Sequence, residues 1–114
     1  MRLIEQEMVD AIKSRTNWAK ANTMVITDGG GFRTRVYLHG NLIAVIDNLT
    51  KTVRISSCRW QTNTTKSRLN CILTALGCKG YVAQRNHKWI YGRFDGKTEH
   101  REPFKDNMVL SFHS

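Results

Sequence analysis

Apolar and polar positions along the 114-residue chain change period several times, and each change predicts an element. Over residues 2–21, Ile4, Met8, Ala11, Ile12 and Ala19 recur at helical spacing between charged and polar residues. This predicts an amphipathic helix with Trp18 anchoring its end and Asn22 terminating it. Met24-Val25-Ile26 is short and apolar, and Asp28-Gly29-Gly30-Gly31 breaks it. Phe32 to His39 then alternates, and Gly40-Asn41 separates it from Leu42 to Ile46, the signature of a hairpin with a two-residue turn. That register pairs His39 with Leu42, Leu38 with Ile43 and Val36 with Val45. It assigns Val36, Leu38, Ile43 and Val45 to the core, and puts Arg33, Arg35, Tyr37 and His39 on the other face with Leu42, Ala44 and Ile46. A strand over Thr52 to Ser57 offers Val53 and Ile55 to the core and Arg54 to the opposite side.

The narrowest apolar stripe comes next. Leu69, Ile72, Leu73 and Leu76 fall at i, i+3, i+4 and i+7, predicting a helix over about 64–76 that is stopped by Gly77 and capped by Thr62, Asn63 or Thr64. Tyr81 to Arg85 and Lys88 to Phe94 pair across Asn86-His87, with Trp89 and Tyr91 on one face and read as core. Asp95-Gly96 turns the chain again, and Met108 to Phe112 is a last strand. No repeat or long linker divides residues 1–114. The expected fold is a single α+β domain: a mainly antiparallel sheet of five to seven strands, with an N-terminal helix and the second helix packed on it.

Composition changes this picture in one respect. Hydrophobic residues (40%) and charged residues (24%) are ordinary for a folded domain, but 18 Lys+Arg against 9 Asp+Glu give a formal charge of +9. Such a surplus favours encounter with polyanions, nucleic acid above all, although it can also serve only to keep a protein in solution. Cys58, Cys71 and Cys78 form no disulfide framework and no Cys-x-x-Cys pair, and His39, His87, His100 and His113 are scattered. No metal or other cofactor is expected. The first residues lack a signal-peptide core, and no stretch nears the ~20 apolar residues of a membrane span. A cytoplasmic, non-membrane protein is expected. Carboxylates are dispersed, and neither a P-loop nor a dinucleotide-binding fingerprint occurs, so no enzymatic activity is expected.

Two places concentrate the positive charge. The first is the start of the second helix. A helix N-terminus favours acids, yet its first turns hold Lys66 and Arg68 with no Asp or Glu, among the hydroxyls of a Thr-Asn-Thr-Thr run. Thr64, Lys66 and Arg68, with Arg59 just upstream, would suit a phosphate; capping by Thr and Asn with solvated cations would produce the same sequence. The second is the strand face carrying Arg33, Arg35, Tyr37 and Arg54, where cations could hold phosphates and Tyr37 could stack a base. Leu42, Ala44 and Ile46 on that face favour partial covering instead. Cys71 lies off the apolar stripe and is expected to be accessible.

Two segments resemble a known group. Leu38-His39-Gly40-Asn41-Leu42-Ile43-Ala44, and Trp60-Gln61-Thr62-Asn63-Thr64-Thr65-Lys66-Ser67-Arg68-Leu69-Asn70 followed by Leu73-Thr74-Ala75-Leu76-Gly77, resemble small tailed-bacteriophage proteins. These commonly carry an Asn-Thr pair before the early strands, as Asn22-Thr23 does here. The resemblance spans roughly residues 18–93 and implies a phage origin and the host cytoplasm, with no catalytic residue to carry over. It leaves two functions in view: binding of DNA or RNA in host takeover or regulation, or inhibition of a host enzyme or defence system by protein binding. Oligomeric state stays open.

Overall fold

The computed structural model describes residues 2–112. Its elements are α1 (Leu3–Ser14), β1 (Trp18–Lys20), β2 (Thr23–Thr27), β3 (Arg33–Leu38), β4 (Asn41–Asp47), β5 (Thr52–Ile55), α2 (Asn63–Ala75), β6 (Gly80–Arg85), β7 (Lys88–Phe94), β8 (Glu99–Pro103) and β9 (Met108–Ser111). The α+β class holds. The strands, nine among the described residues, form two antiparallel sheets, one of six in the order β1-β2-β3-β4-β5-β9 and one of three in the order β6-β7-β8.

The first helix is shorter than its periodicity predicts. Arg15 turns left-handed (φ 56°), its N–H bonds the Ile12 carbonyl at 3.3 Å, and the Thr16 N–H bonds Ala11 at 3.0 Å. That pair is a Schellman stop, built here on an arginine rather than the usual glycine. The chain then extends as β1, and Glu7 of α1 holds it by accepting from Trp18 Nε1 at 3.4 Å and Lys20 Nζ at 2.9 Å. The second helix follows its stripe. Thr62 caps it by accepting the Thr65 N–H at 3.1 Å, and a Schellman stop at Gly77 (φ 77°) closes it.

The β3–β4 hairpin differs from expectation by a shift that decides the character of both sheet faces. His39 (φ 51°) and Gly40 (φ 77°) are the turn residues, in the left-handed pair a type I′ turn requires. Leu38 therefore pairs Asn41, and Tyr37 pairs Leu42. Ile43 is then an extra residue, because Val36 pairs Ala44. This bulge lets Ile43 and Ala44 both face the core. Beyond it Ile46 is buried and Val45 turns outward, opposite to the predicted assignment of Ala44, Val45 and Ile46.

Both helices lie on the side of the large sheet that this register makes apolar. Met8, Val9, Ala11 and Ile12 of α1 and Leu69, Ile72, Leu73 and Leu76 of the second helix region pack with Val25, Val36, Leu38, Ile43, Ile46, Val53 and Ile55. The small sheet adds Val82, Trp89 and Tyr91. It is tied to α2 by the Asn70 side chain, which bonds both the N–H (2.7 Å) and the carbonyl (2.9 Å) of Val82. The Asn86-His87 turn forms as predicted, with both residues left-handed, whereas the fully exposed strand β8 has no hydrophobic alternation to announce it.

Gly80 is needed for a steric reason. A Cβ there would meet the Tyr91 ring and hydroxyl at 1.8–2.6 Å, and Tyr91 is buried. Gly80→Ala is expected to destabilise the protein by about 1–3 kcal/mol through overpacking. Gly29→Ala, at a position with nothing within 4 Å, should cost nothing measurable. Chemical denaturation of both variants checks the pair.

Candidate nucleic-acid interface

The two sequence-predicted cationic places meet opposite fates. Arg68 is 2% exposed and reaches into the interior, where its Nη1 lies 2.9 Å from Glu5 Oε2. Its Nε donates to Thr23 Oγ1 at 3.2 Å and its Nη2 to Asn22 Oδ1 at 3.5 Å, while Ser67 Oγ donates to the same Glu5 oxygen at 2.5 Å. The acid missing from the start of α2 is supplied by α1. Lys66 is half-buried, with its ammonium 6.0 Å from the Trp89 ring centroid, and Thr64 is half-buried in the first turn. Arg68 therefore has no access to an external phosphate, and the two-cation helix start does not form. Arg59 does stay exposed, beside Trp60 (57% exposed), in a loop where Cys58 and Arg59 are both left-handed.

Burial by itself would raise the Glu5 carboxyl, but the Ser67 hydroxyl, the Arg2 N–H and the Arg68 guanidinium together hold it below the ordinary carboxylate value. Cys71, expected to be accessible, is half-buried, and burial together with the nearby Glu5 charge pushes its thiol up.

The sheet face is the place that assembles. By strand alternation, the side of the large sheet away from the helices carries Arg33, Arg35 and Tyr37 from β3, Leu42 and Val45 from β4, Arg54 from β5 and Val109 from β9. Register sets Ile26, Arg35, Val45, Arg54 and Val109 in one row across five strands. A hollow of about 280 Å³ is lined by the three arginines with Leu42, Val45, Asp47, Thr52 and Val109. Tyr37 is outside it, in a neighbouring depression with Met24 and His39, one cross-strand step from Leu42.

Two carboxylates border this face. Asp28 pairs with Arg35 at 2.9 Å, with both groups partly exposed to water. Asp47 accepts the N–H groups of Thr50 (2.9 Å) and Leu49 (3.0 Å); the Thr50 bond foremost, with help from the charge of Arg33, lowers its pKa. Arg33 and Arg54 make no ion pair within 4.0 Å among the described residues. Sequence reading found the arginines but missed Val45, because the bulge that turns it outward has no sequence mark, and Val109, because the β5–β9 pairing that sets it beside Arg54 is long-range.

Among the described residues no group of three or more His, Cys, Asp or Glu side chains could hold a metal ion, and no helix is long and apolar enough to cross a membrane. Fold and face define a small α+β protein whose two helices cover one side of an antiparallel sheet and leave an arginine-bearing side open. The family model described as Kyanoviridae Gp96 protein matches residues 1–111, and the chain belongs to that phage family. The match agrees with the phage origin implied by the sequence motifs. No curated protein and no solved structure matches the chain.

Breaking the buried pair should be costly. Arg68→Ala is expected to lose about 3–5 kcal/mol, because it strands the Glu5 charge in the interior. The Glu5 pKa is lowered on folding, so its contribution is complete above the ordinary value of 4.5 and fades as pH falls through the lowered one. Urea unfolding across that acid range should show a shallower pH dependence in Glu5→Gln than in the unaltered protein.

Proposed function

We propose that the protein binds nucleic acid through the open face of its six-stranded sheet, as a non-catalytic factor in the host cytoplasm during takeover or regulation. The observation that carries this reading is the convergence of Arg33, Arg35 and Arg54 from two strands onto one uncovered face. Guanidiniums suit phosphate because their planar donor sets match its oxygens and their charge does not titrate away. A formal +9 on the whole chain adds a long-range attraction for polyanions. Arg59 at the α2 approach is a further exposed cation. Arg68 has no part in contact with the ligand; its work is inside the fold.

A protein-binding role against a host enzyme or defence system draws support from the exposed Val109 and Ile26 on the same face, which would suit an acidic partner with apolar contacts. The two readings separate on salt and nuclease. In fluorescence anisotropy with labelled oligonucleotides, the unaltered protein should lose affinity steeply as salt rises. The Arg33→Gln/Arg35→Gln/Arg54→Gln variant should bind more weakly, with a log–log salt slope shallower by about 2. Lys97→Gln, in the exposed β7–β8 turn, serves as the control and should leave the slope nearly unchanged. An unchanged slope in the triple variant sinks the proposal, and nuclease-insensitive co-purification with one host protein would favour the inhibitor role.

A further inference from the structure

We infer that the open face takes an unpaired polynucleotide strand and discriminates against duplex, an inference that rests on the nucleic-acid reading above. The guanidiniums on this face do not form a continuous cationic surface. Along the row that crosses β2, β3, β4, β5 and β9 they alternate with apolar side chains: Ile26, Arg35, Val45, Arg54, Val109. Leu42 adds to the apolar floor of the hollow, and Val109 is 61% exposed. Branched aliphatic side chains left in water cost the protein without helping it meet phosphate. Among nucleic acids, they gain cover from one that brings flat, weakly solvated surface along with its charges. An unpaired strand does so, because its bases are free to lie on apolar or aromatic side chains while its phosphates meet cations. A duplex offers this face mainly phosphate and sugar, with its base planes stacked away.

Shape points the same way. Reading a duplex in the major groove needs a helix or a two-stranded ribbon standing proud of the protein. Here α1 and α2 both pack on the far side of the sheet, and the arginine face is formed from the sheet strands themselves. With strands about 4.8 Å apart, the row spans roughly 19 Å, enough for on the order of four nucleotides, the lower end of single-strand site sizes. Beyond Leu42 the surface continues to Tyr37 and His39, which offers an aromatic ring to a strand that runs on.

The test is anisotropy with the full chain and three labelled probes of one mixed sequence lacking self-complementarity: unpaired DNA and unpaired RNA of about 12 nucleotides, and the corresponding DNA duplex. At matched salt, the tighter of the two unpaired probes is expected to bind at least about tenfold better than the duplex, and which one it is identifies the natural source. Val45→Thr/Val109→Thr keeps β-branched residues in both strands. It should weaken unpaired-strand binding by roughly three- to tenfold while leaving the salt slope intact, since apolar contacts release no counterions. Equal or tighter binding of the duplex overturns the inference, as does an unaltered affinity in a double variant shown by circular dichroism to be folded. Failure of all three probes to bind overturns the nucleic-acid reading itself, so the two failures are distinct.

Discussion

Glu5 and Arg68, 63 residues apart in the chain, meet at 2.9 Å in the interior, and the architecture is organised around that contact. Each charge would be prohibitively placed without the other, since a lone ion in a protein interior loses its hydration with nothing in return. The remaining donors and acceptors are met as well: Ser67 and the Arg2 N–H on the carboxylate, Thr23 and Asn22 on the guanidinium. The cluster thus joins α1, the start of β2 and α2, three elements whose apolar stripes alone would allow some sliding. Such a pair adds directional specificity more than net stability, because hydrophobic residues of equal volume could fill the space as well. Its consequence is positional: α1 and α2 are fixed against each other and against the start of β2, on the side of the large sheet that the register makes apolar.

The motif residues take on a different meaning in this light. Asn22, Thr23, Ser67 and Arg68 all belong to the buried cluster, Thr62 caps α2, and Asn70 fastens β6. The segment that looked most like a ligand site is cross-bracing, and its unusual chemistry answers to a partner helix. A helix start without its own acid can be satisfied by one delivered from elsewhere in the fold. Only Arg59, Trp60, Gln61, Thr62 and Asn63 of that stretch remain exposed.

The open face depends on a second local device, the bulge opposite Val36 and Tyr37. Were Ile43 paired in register instead of bulged, strict alternation would carry Ala44 and Ile46 to the arginine side and bury Val45. The face would then carry Leu42, Ala44 and Ile46 and lose Val45 from beside Arg35. With the bulge, Val45 stands between Arg35 and Arg54, and the core receives Ile43, Ala44 and Ile46 in sequence. One added residue therefore adjusts both sides of the sheet together.

The amino-acid pattern alone determined the α+β class, the stripe and stop of α2, the β5 core residues Val53 and Ile55, the Asn86-His87 hairpin and the arginines that share a face. These are short-range matters: period, cap and turn residues act within a few positions of one another. It could not determine where α1 ends, since the left-handed stop falls on Arg15 and not on a glycine, nor could it foresee β8, a strand of Glu, His, Arg and Pro with no buried side. Hairpin register was lost between two adjacent turns, His39-Gly40 and Gly40-Asn41, that look alike in sequence and differ by one residue in outcome. The role of Arg68 belonged wholly to the tertiary structure. A cation's meaning depends on which carboxylate reaches it, and Glu5 comes within reach only after the chain has folded α1 against α2.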